Sequence, residues 1–350
     1  MIKLNKNHPL YIEDLDYILS TKGIDVLKGK KVLITGATGL IGVCLIDALM
    51  RYNVTSDAKI KVYAVGRNYE KATSRLGEYM SNSLFTFIEQ DVCHSFTNDL
   101  AVDYIIPLAS NTHPLAYSQF PIETIMINVK GAEHALDLAV KCNATLLYPS
   151  SVEIYGNAKG EDVFTEDYTG QLNLSTARSC YTESKRVSEA MCQSYISERK
   201  AKVIIVRLSR IIGPTMLDTD TKASSQFINK ALDGENIVLK SKGEQFYSYT
   251  YVADAVSAML YALLHGDNGV VYNISNDTFN VRLKEFANTC AVWSGKEVVF
   301  DLPSEEEKKG FSVAMNAILD NSRIREKGWI PQYDRENAIR RTLTILKNNK

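Results

Sequence analysis

Tyr181 and Lys185 lie about one helical turn apart, so a helix would carry the phenol and the ammonium on the same face. A neighbouring cation lowers a tyrosine pKa, and a serine hydroxyl such as that of Ser151 would complete a proton-transfer device. With it, an alcohol carbon can surrender a hydride while its hydroxyl proton passes to the phenol. The hydride needs an acceptor. Gly36-x-x-Gly39-x-x-Gly42 follows the β-branched run 31–35 and leads into Leu40, Ile41, Leu45, Ile46 and Leu49 at helical spacing. That order of strand, glycine turn and helix sets the backbone of Gly36, Thr38, Gly39, Leu40, Ile41 and Gly42 against the pyrophosphate of a dinucleotide. The chain reads first as a redox enzyme.

At the end of a second strand, a carboxylate would bond the adenosine ribose hydroxyls and repel a 2′-phosphate. Residues 65–68 read Val-Gly-Arg-Asn, with no acid. The Arg67 guanidinium suits a 2′-phosphate, which favours NADP(H) and leaves NAD(H) open. Asp91 and Val92, just past the third strand, fit a loop against the adenine.

The elements that must position these groups alternate. Short apolar strands at 31–35, 61–65, 84–88, 104–106, 145–148 and 203–206 have helical segments between most of them. This implies a parallel sheet covered on both faces, a doubly wound α/β (Rossmann) fold that binds ligands at the carboxyl ends of its strands. After Gly213-Pro214 the pattern loosens, with helices near 223–233, 252–265 and 283–294, strands near 236–240 and 270–274, and a last helix from about 335. The expected organisation is a helical extension over 1–29, an NAD(P)-binding domain over 30–212, and from 213 to 350 mainly a smaller C-terminal substrate-binding lobe with returns to the Rossmann domain. Ile12, Leu15, Ile18 and Leu19 suggest an amphipathic helix in the extension, packed on the cofactor domain.

With 350 residues, 45% of them hydrophobic, the chain can bury a large core. A formal net charge of -1 gives no field toward nucleic acid or an anionic membrane, and no apolar stretch reaches the ~18 residues of a membrane span. The six cysteines are scattered without a CxxC pair, and the five histidines and the acids show no metal spacing. A cytoplasmic protein without a metal site is expected, with small partners.

Three segments resemble the extended short-chain dehydrogenase/reductase family of NAD-dependent epimerases and dehydratases, which modify nucleotide-linked sugars. They are Leu108-Ala109-Ser110 with His113-Pro114-Leu115-Ala116-Tyr117, then Ser150-Ser151-Val152-Glu153-Ile154-Tyr155-Gly156, then Arg178-Ser179-Cys180-Tyr181-Thr182-Glu183-Ser184-Lys185-Arg186. The local likeness is nearest to UDP-glucuronate decarboxylases. It implies that Tyr181 exchanges a proton with the sugar 4-hydroxyl, that Lys185 also holds the nicotinamide ribose, and that Ser151 shares the proton and fixes the sugar. Glu153 would act on the sugar beyond the 4-position. Leu108, Ala109 and Ser110 would touch the cofactor, and Ser110, Tyr117, Ser151 and Arg210 a nucleotide-diphosphate sugar, with His113 near the sugar. A homodimer would pair through the helix carrying Tyr181 and one at roughly 121–140.

The chain departs from that pattern twice. Val152 stands where glucose 4,6-dehydratases carry an aspartic acid, and valine cannot protonate a departing hydroxyl. The arginine usual shortly before Tyr251-Val252-Ala253-Asp254 reads Tyr247, while Arg210 replaces the asparagine of an Arg-x-x-Asn-x-x-Gly-Pro pattern over 207–214. Arg210 is therefore expected to supply the charge that faces the diphosphate. The implied chemistry is oxidation at the sugar 4-carbon followed by epimerisation, elimination or decarboxylation. An NADPH-dependent keto-sugar reductase and a non-catalytic NAD(P)-binding protein are the alternatives.

Overall fold

The computed structural model describes residues 4–97, 100–112, 114–156, 158, 163–302 and 316–347. The apolar runs become strands β1 (Lys31–Thr35), β2 (Lys61–Gly66), β3 (Phe85–Glu89), β4 (Tyr104–Pro107), β5 (Thr145–Ser151) and, after a short β6 (Val163–Phe164), β7 (Lys202–Leu208). Further strands are β8 (Arg210–Ile212), β9 (Ile237–Leu239), β10 (Phe246–Tyr251), β11 (Val271–Ile274), β12 (Asn280–Arg282), β13 (Val298–Phe300) and β14 (Ile318–Leu319). The helices are α1 (Pro9–Leu19), α2 (Leu40–Ser56), α3 (Tyr69–Leu76), α4 (Pro114–Gln119), α5 (Pro121–Cys142), α6 (Ser179–Arg199), α7 (Ala223–Leu232), α8 (Val252–His265), α9 (Leu283–Ser294), α10 (Ser322–Lys327) and α11 (Arg335–Lys347).

One parallel sheet runs in the order β11-β7-β5-β4-β1-β2-β3. Val32, Leu33 and Ile34 on β1 are all buried, the signature of a strand covered on both faces. Strand order reverses between β1 and β4, and the crevice at such a switch point is where open α/β sheets bind ligands. Late segments return to this sheet. Strand β11 pairs with β7, and α8, buried all along residues 252–263, lies between the sheet and α1. A smaller three-stranded sheet, β12-β10-β8, begins one residue beyond β7, which sets it at the carboxyl edge of the large one.

The N-terminal segment is bolted down by carboxylates as well as by its apolar stripe. Asp47 on α2, fully buried, accepts from Lys6 Nζ at 2.6 Å, Tyr11 Oη at 2.7 Å and Tyr79 Oη at 3.0 Å. Asp14 on α1 accepts from Tyr251 Oη at 2.5 Å and Arg341 Nε at 2.9 Å, and Asp254 accepts from Tyr17 Oη at 2.8 Å. Buried carboxylates need such partners. Even so, burial pushes Asp14 and Asp254 up to about 6.

Candidate active site

The glycine turn closes the switch point from the β1 side. Gly36 adopts φ +63°, and a Cβ there would meet the Leu108 carbonyl carbon and the Ala109 nitrogen at 2.7 Å. A Cβ on Gly42 would meet the Gly36 carbonyl oxygen at 2.6 Å. Ala109 N donates to Thr35 Oγ1 at 3.0 Å, fastening the loop after β4 to the end of β1. The α2 N-cap, Gly39, makes no side-chain cap hydrogen bond, so no carboxylate or hydroxyl competes there for the first-turn amides. Backbone donors without a competing cap suit a pyrophosphate, with Thr38, Leu40 and Ile41 half-buried beside them, and the residues present fit a dinucleotide.

At the expected adenosine end, Arg67 is already engaged. Its Nη1 lies 2.7 Å from Glu123 Oε1 on the first turn of α5 and 3.9 Å from Asp91 Oδ2. The guanidinium read as a partner for a 2′-phosphate therefore stands between two carboxylates. Val92 is buried with its carbonyl 2.9 Å from His134 Nδ1, and its side chain faces Gly131.

The chemical centre forms at the end of β5. Ser151, Tyr181 and Lys185 are all buried, at 8%, 7% and 5% exposure, so water is largely excluded before any ligand arrives. Burial pushes the Tyr181 phenol up to about 12; the Ser151 hydroxyl bonds it and offsets part of this rise, and the Glu153 charge adds to it. The depression expected from Lys185 is not what the structure gives. Lys185 Nζ donates to the Pro149 carbonyl at 2.8 Å and sits 5.0 Å over the Tyr148 ring, and burial brings it down to about 8. Tyr117 stacks on Tyr181 with ring centroids 5.0 Å apart.

The Ser110 hydroxyl is used inside the protein. It donates to Asn128 Oδ1 at 2.7 Å, and Asn128 Nδ2 donates to Ser184 Oγ at 2.8 Å. This chain ties the loop after β4 to α5 and to the helix that carries Tyr181. Sequence reasoning missed Asn128; its one signal was a polar residue at a core position of an apolar helix. His113 lies outside the described residues.

Opposite Tyr181, Glu153 meets Arg210. Arg210 Nη2 donates to Glu153 Oε1 at 3.3 Å, and the guanidinium lies 3.6 Å over the Tyr247 ring. Two of the three positions where the chain departs from the resembled pattern, Arg210 and Tyr247, are thus in direct contact, and Arg210 also meets a carboxylate two residues past Ser151.

A glycine cradle at a switch point, beside a serine, tyrosine and lysine buried together, is a site for dinucleotide-linked hydride chemistry. The model of the NAD dependent epimerase/dehydratase family matches residues 32–275. The chain belongs to that family. It is similar to UDP-glucuronic acid decarboxylase 1 of Xenopus tropicalis, 29% identical over 322 residues, 91% of this chain and 72% of the relative. To UDP-glucuronic acid decarboxylase 6 of Arabidopsis thaliana it is 32% identical over 246 residues, 70% and 69% of the two chains. In fold it is similar to a dTDP-glucose 4,6-dehydratase from Streptomyces venezuelae with NAD and TYD bound, TM-score 0.77, 21% identical, covering 91% and 97% of the two chains. A UDP-glucuronic acid 4-epimerase from Bacillus cereus in complex with UDP-glucuronic acid and NAD gives TM-score 0.75 at 19% identity, covering 91% and 99%. The chain is an NAD-dependent enzyme of the nucleotide-sugar-modifying type. Among the described residues no helix is long and apolar enough to cross a membrane, and no group of His, Cys, Asp and Glu could hold a metal ion.

Proposed function

We propose that the protein acts on a nucleoside-diphosphate sugar by redox-neutral chemistry through its 4-carbon, with UDP-glucuronate as the first substrate to test. The observation that carries this reading is the buried Ser151 and Tyr181 pair at the end of β5 with Glu153 beside it. Bound NAD supplies a hydride acceptor that returns the hydride within the same turnover. With the positive nicotinamide and Lys185 lowering its pKa once the cofactor is bound, Tyr181 as the phenolate would take the proton of the 4-hydroxyl and give it back, and Ser151 would orient that hydroxyl. Lys185, anchored on the Pro149 carbonyl, holds the nicotinamide ribose. Glu153 acts on the neighbouring part of the sugar, and Tyr117 covers the ring of Tyr181.

Val152 leaves the turn after β5 without a second acid, which supports decarboxylation or epimerisation over 4,6-elimination. The names of the relatives favour the first of these. The cofactor reading turns from NADP(H) to NAD(H), because Arg67 is already engaged by Glu123 and Asp91, whose charges disfavour a 2′-phosphate beside it. A net NADPH-dependent reductase loses the support of Arg67 by the same contact and keeps only that of Val152. The cofactor domain, ending at β7 and not at residue 212, regains α8 and β11 from the later sequence, and β8, β10 and β12 begin the substrate lobe.

Phe120, Ile122, Ile125 and Met126 at the start of α5 and Val187 on α6 are exposed, which supports a homodimer through that face. A monomeric mass in solution at micromolar concentration would contradict it. Every cysteine among the described residues is free, which suits a reducing cytoplasm. Incubation with UDP-glucuronate, UDP-glucose and dTDP-glucose, with products read by mass, tests the reading. Carbon dioxide loss from UDP-glucuronate is expected, and no conversion of any nucleotide sugar would contradict the proposal.

A further inference from the structure

Arg210 is placed as a fork with one tine in use. Strand β8 lies parallel to β10 with Arg210 opposite Tyr249, and Tyr247 is two residues back on the same face of β10. The guanidinium leans onto the Tyr247 ring at 3.6 Å, which fixes its plane. Nη2 donates to Glu153 Oε1 at 3.3 Å. Nη1 is buried and has no hydrogen-bond partner among the described residues. A buried guanidinium N–H without an acceptor is costly, and a ligand anion would relieve it.

Two other cations on the lobe elements are engaged elsewhere. Lys222 Nζ pairs with Asp220 at 2.9 Å, and Arg282 Nη1 lies 3.6 Å from Glu244. Arg178, just before α6, is exposed, and its charge reaches both Tyr117 and Tyr247. Arg210 is the cation with one donor on the carboxylate next to the reacting groups and a second donor unspent.

We propose that Arg210 bridges Glu153 and an anionic oxygen of the substrate, with Tyr247 as the platform that holds its plane. The bridge rests on the nucleotide-sugar reading above and adds a positioning role: the same residue that anchors the substrate's anion also holds the Glu153 carboxylate against it. The anionic oxygen belongs to the diphosphate or to a carboxylate on the sugar.

The test is calorimetric binding of UDP, UDP-glucose and UDP-glucuronate to the full chain loaded with NAD, for the wild type, Arg210→Ala and Arg210→Lys. Arg210→Ala should raise the affected dissociation constants ~10–100-fold, the range for losing a charge-assisted contact. Arg210→Lys, a point charge without the fork, should recover part of the loss. NAD affinity, measured separately, should not change.

An equal loss for all three ligands assigns the oxygen to the diphosphate, and a loss confined to UDP-glucuronate assigns it to the carboxylate. Unchanged constants for all three ligands in a folded Arg210→Ala overturn the inference and leave the function standing. A wild type that binds none of them overturns both. Arg210→Lys carries the same comparison if Arg210→Ala fails to fold. For the bridge itself, Arg210→Lys and Glu153→Gln should be strongly non-additive in kcat; additive losses would overturn it.

Discussion

At the glycine turn, position is set by backbone. Gly36 needs a left-handed φ, and a side chain there or at Gly42 would run into main-chain atoms at 2.7 or 2.6 Å, distances that no rotamer change relieves. Around Arg210, position is set by side chains. Glu153, Arg210 and Tyr247 come from the turn after β5, from β8 and from β10, and they hold one another by an ion pair and a ring stack. The first region is specified by consecutive residues and has little freedom to drift. In the second, what must be kept is the place of a charge, and an arginine on β8 lying over an aromatic on β10 can provide it. The glycine turn thus follows the resembled pattern, while the substrate side departs from it at Val152 and at the touching pair Arg210 and Tyr247.

The sharpest way to separate the two regions is Tyr181→Phe. It removes the proton-transfer oxygen and leaves the ring stacked on Tyr117, so kcat should fall ~10²–10⁴-fold. Equilibrium dialysis should find NAD binding intact; lost NAD binding would mean that the crevice and the chemical centre are not independent. Next in size is Gly36→Ala. Strain at a left-handed residue, together with the main-chain collision, should lower unfolding free energy by ~1–3 kcal/mol in a urea titration. An unchanged midpoint would remove the claim that backbone sets the crevice.

A smaller effect is expected at the adenosine edge, where both kinds of control meet. Glu123→Gln releases Arg67, and the ratio of NADPH to NADH affinity should rise by up to ~5-fold, the scale of one exposed ion pair. A wild type that already prefers NADPH would contradict the NAD(H) assignment.

Ionisation separates the regions as well. Since Tyr181 is raised to about 12, the ligand-free enzyme keeps this phenol protonated through the neutral range. The absorbance difference between wild type and Tyr181→Phe should then show no phenolate at pH 8. A phenolate at that pH would mean that Lys185 acidifies Tyr181 without any ligand.

The strands, the glycine turn and the order of Ser151, Tyr181 and Lys185 were legible in sequence because each rests on a short local pattern. The reversal of strand order between β1 and β4 places the first of these beside the others. What sequence could not reveal depends on side chains meeting across long gaps. Glu123 takes Arg67 from 56 residues away, and the 57-residue separation of Glu153 and Arg210 hides their pairing. Lys185 turns to the Pro149 carbonyl although helical spacing alone suggested Tyr181. The carboxylates that bolt α1, Asp14, Asp47 and Asp254, were hidden for a further reason: on sequence alone a charged residue on an amphipathic helix reads as solvated.

The central claim is that the 4-carbon hydride leaves to NAD and returns within one turnover while Tyr181 moves the hydroxyl proton. It is tested most directly with UDP-glucuronate deuterated at that carbon, following rate and product label together. The account predicts slower turnover for the deuterated sugar, deuterium retained at the same carbon of the product, and no net change in NADH. A deuterium left in a stoichiometric pool of reduced cofactor, or a rate insensitive to the label with no NADH formed at any stage, would contradict it.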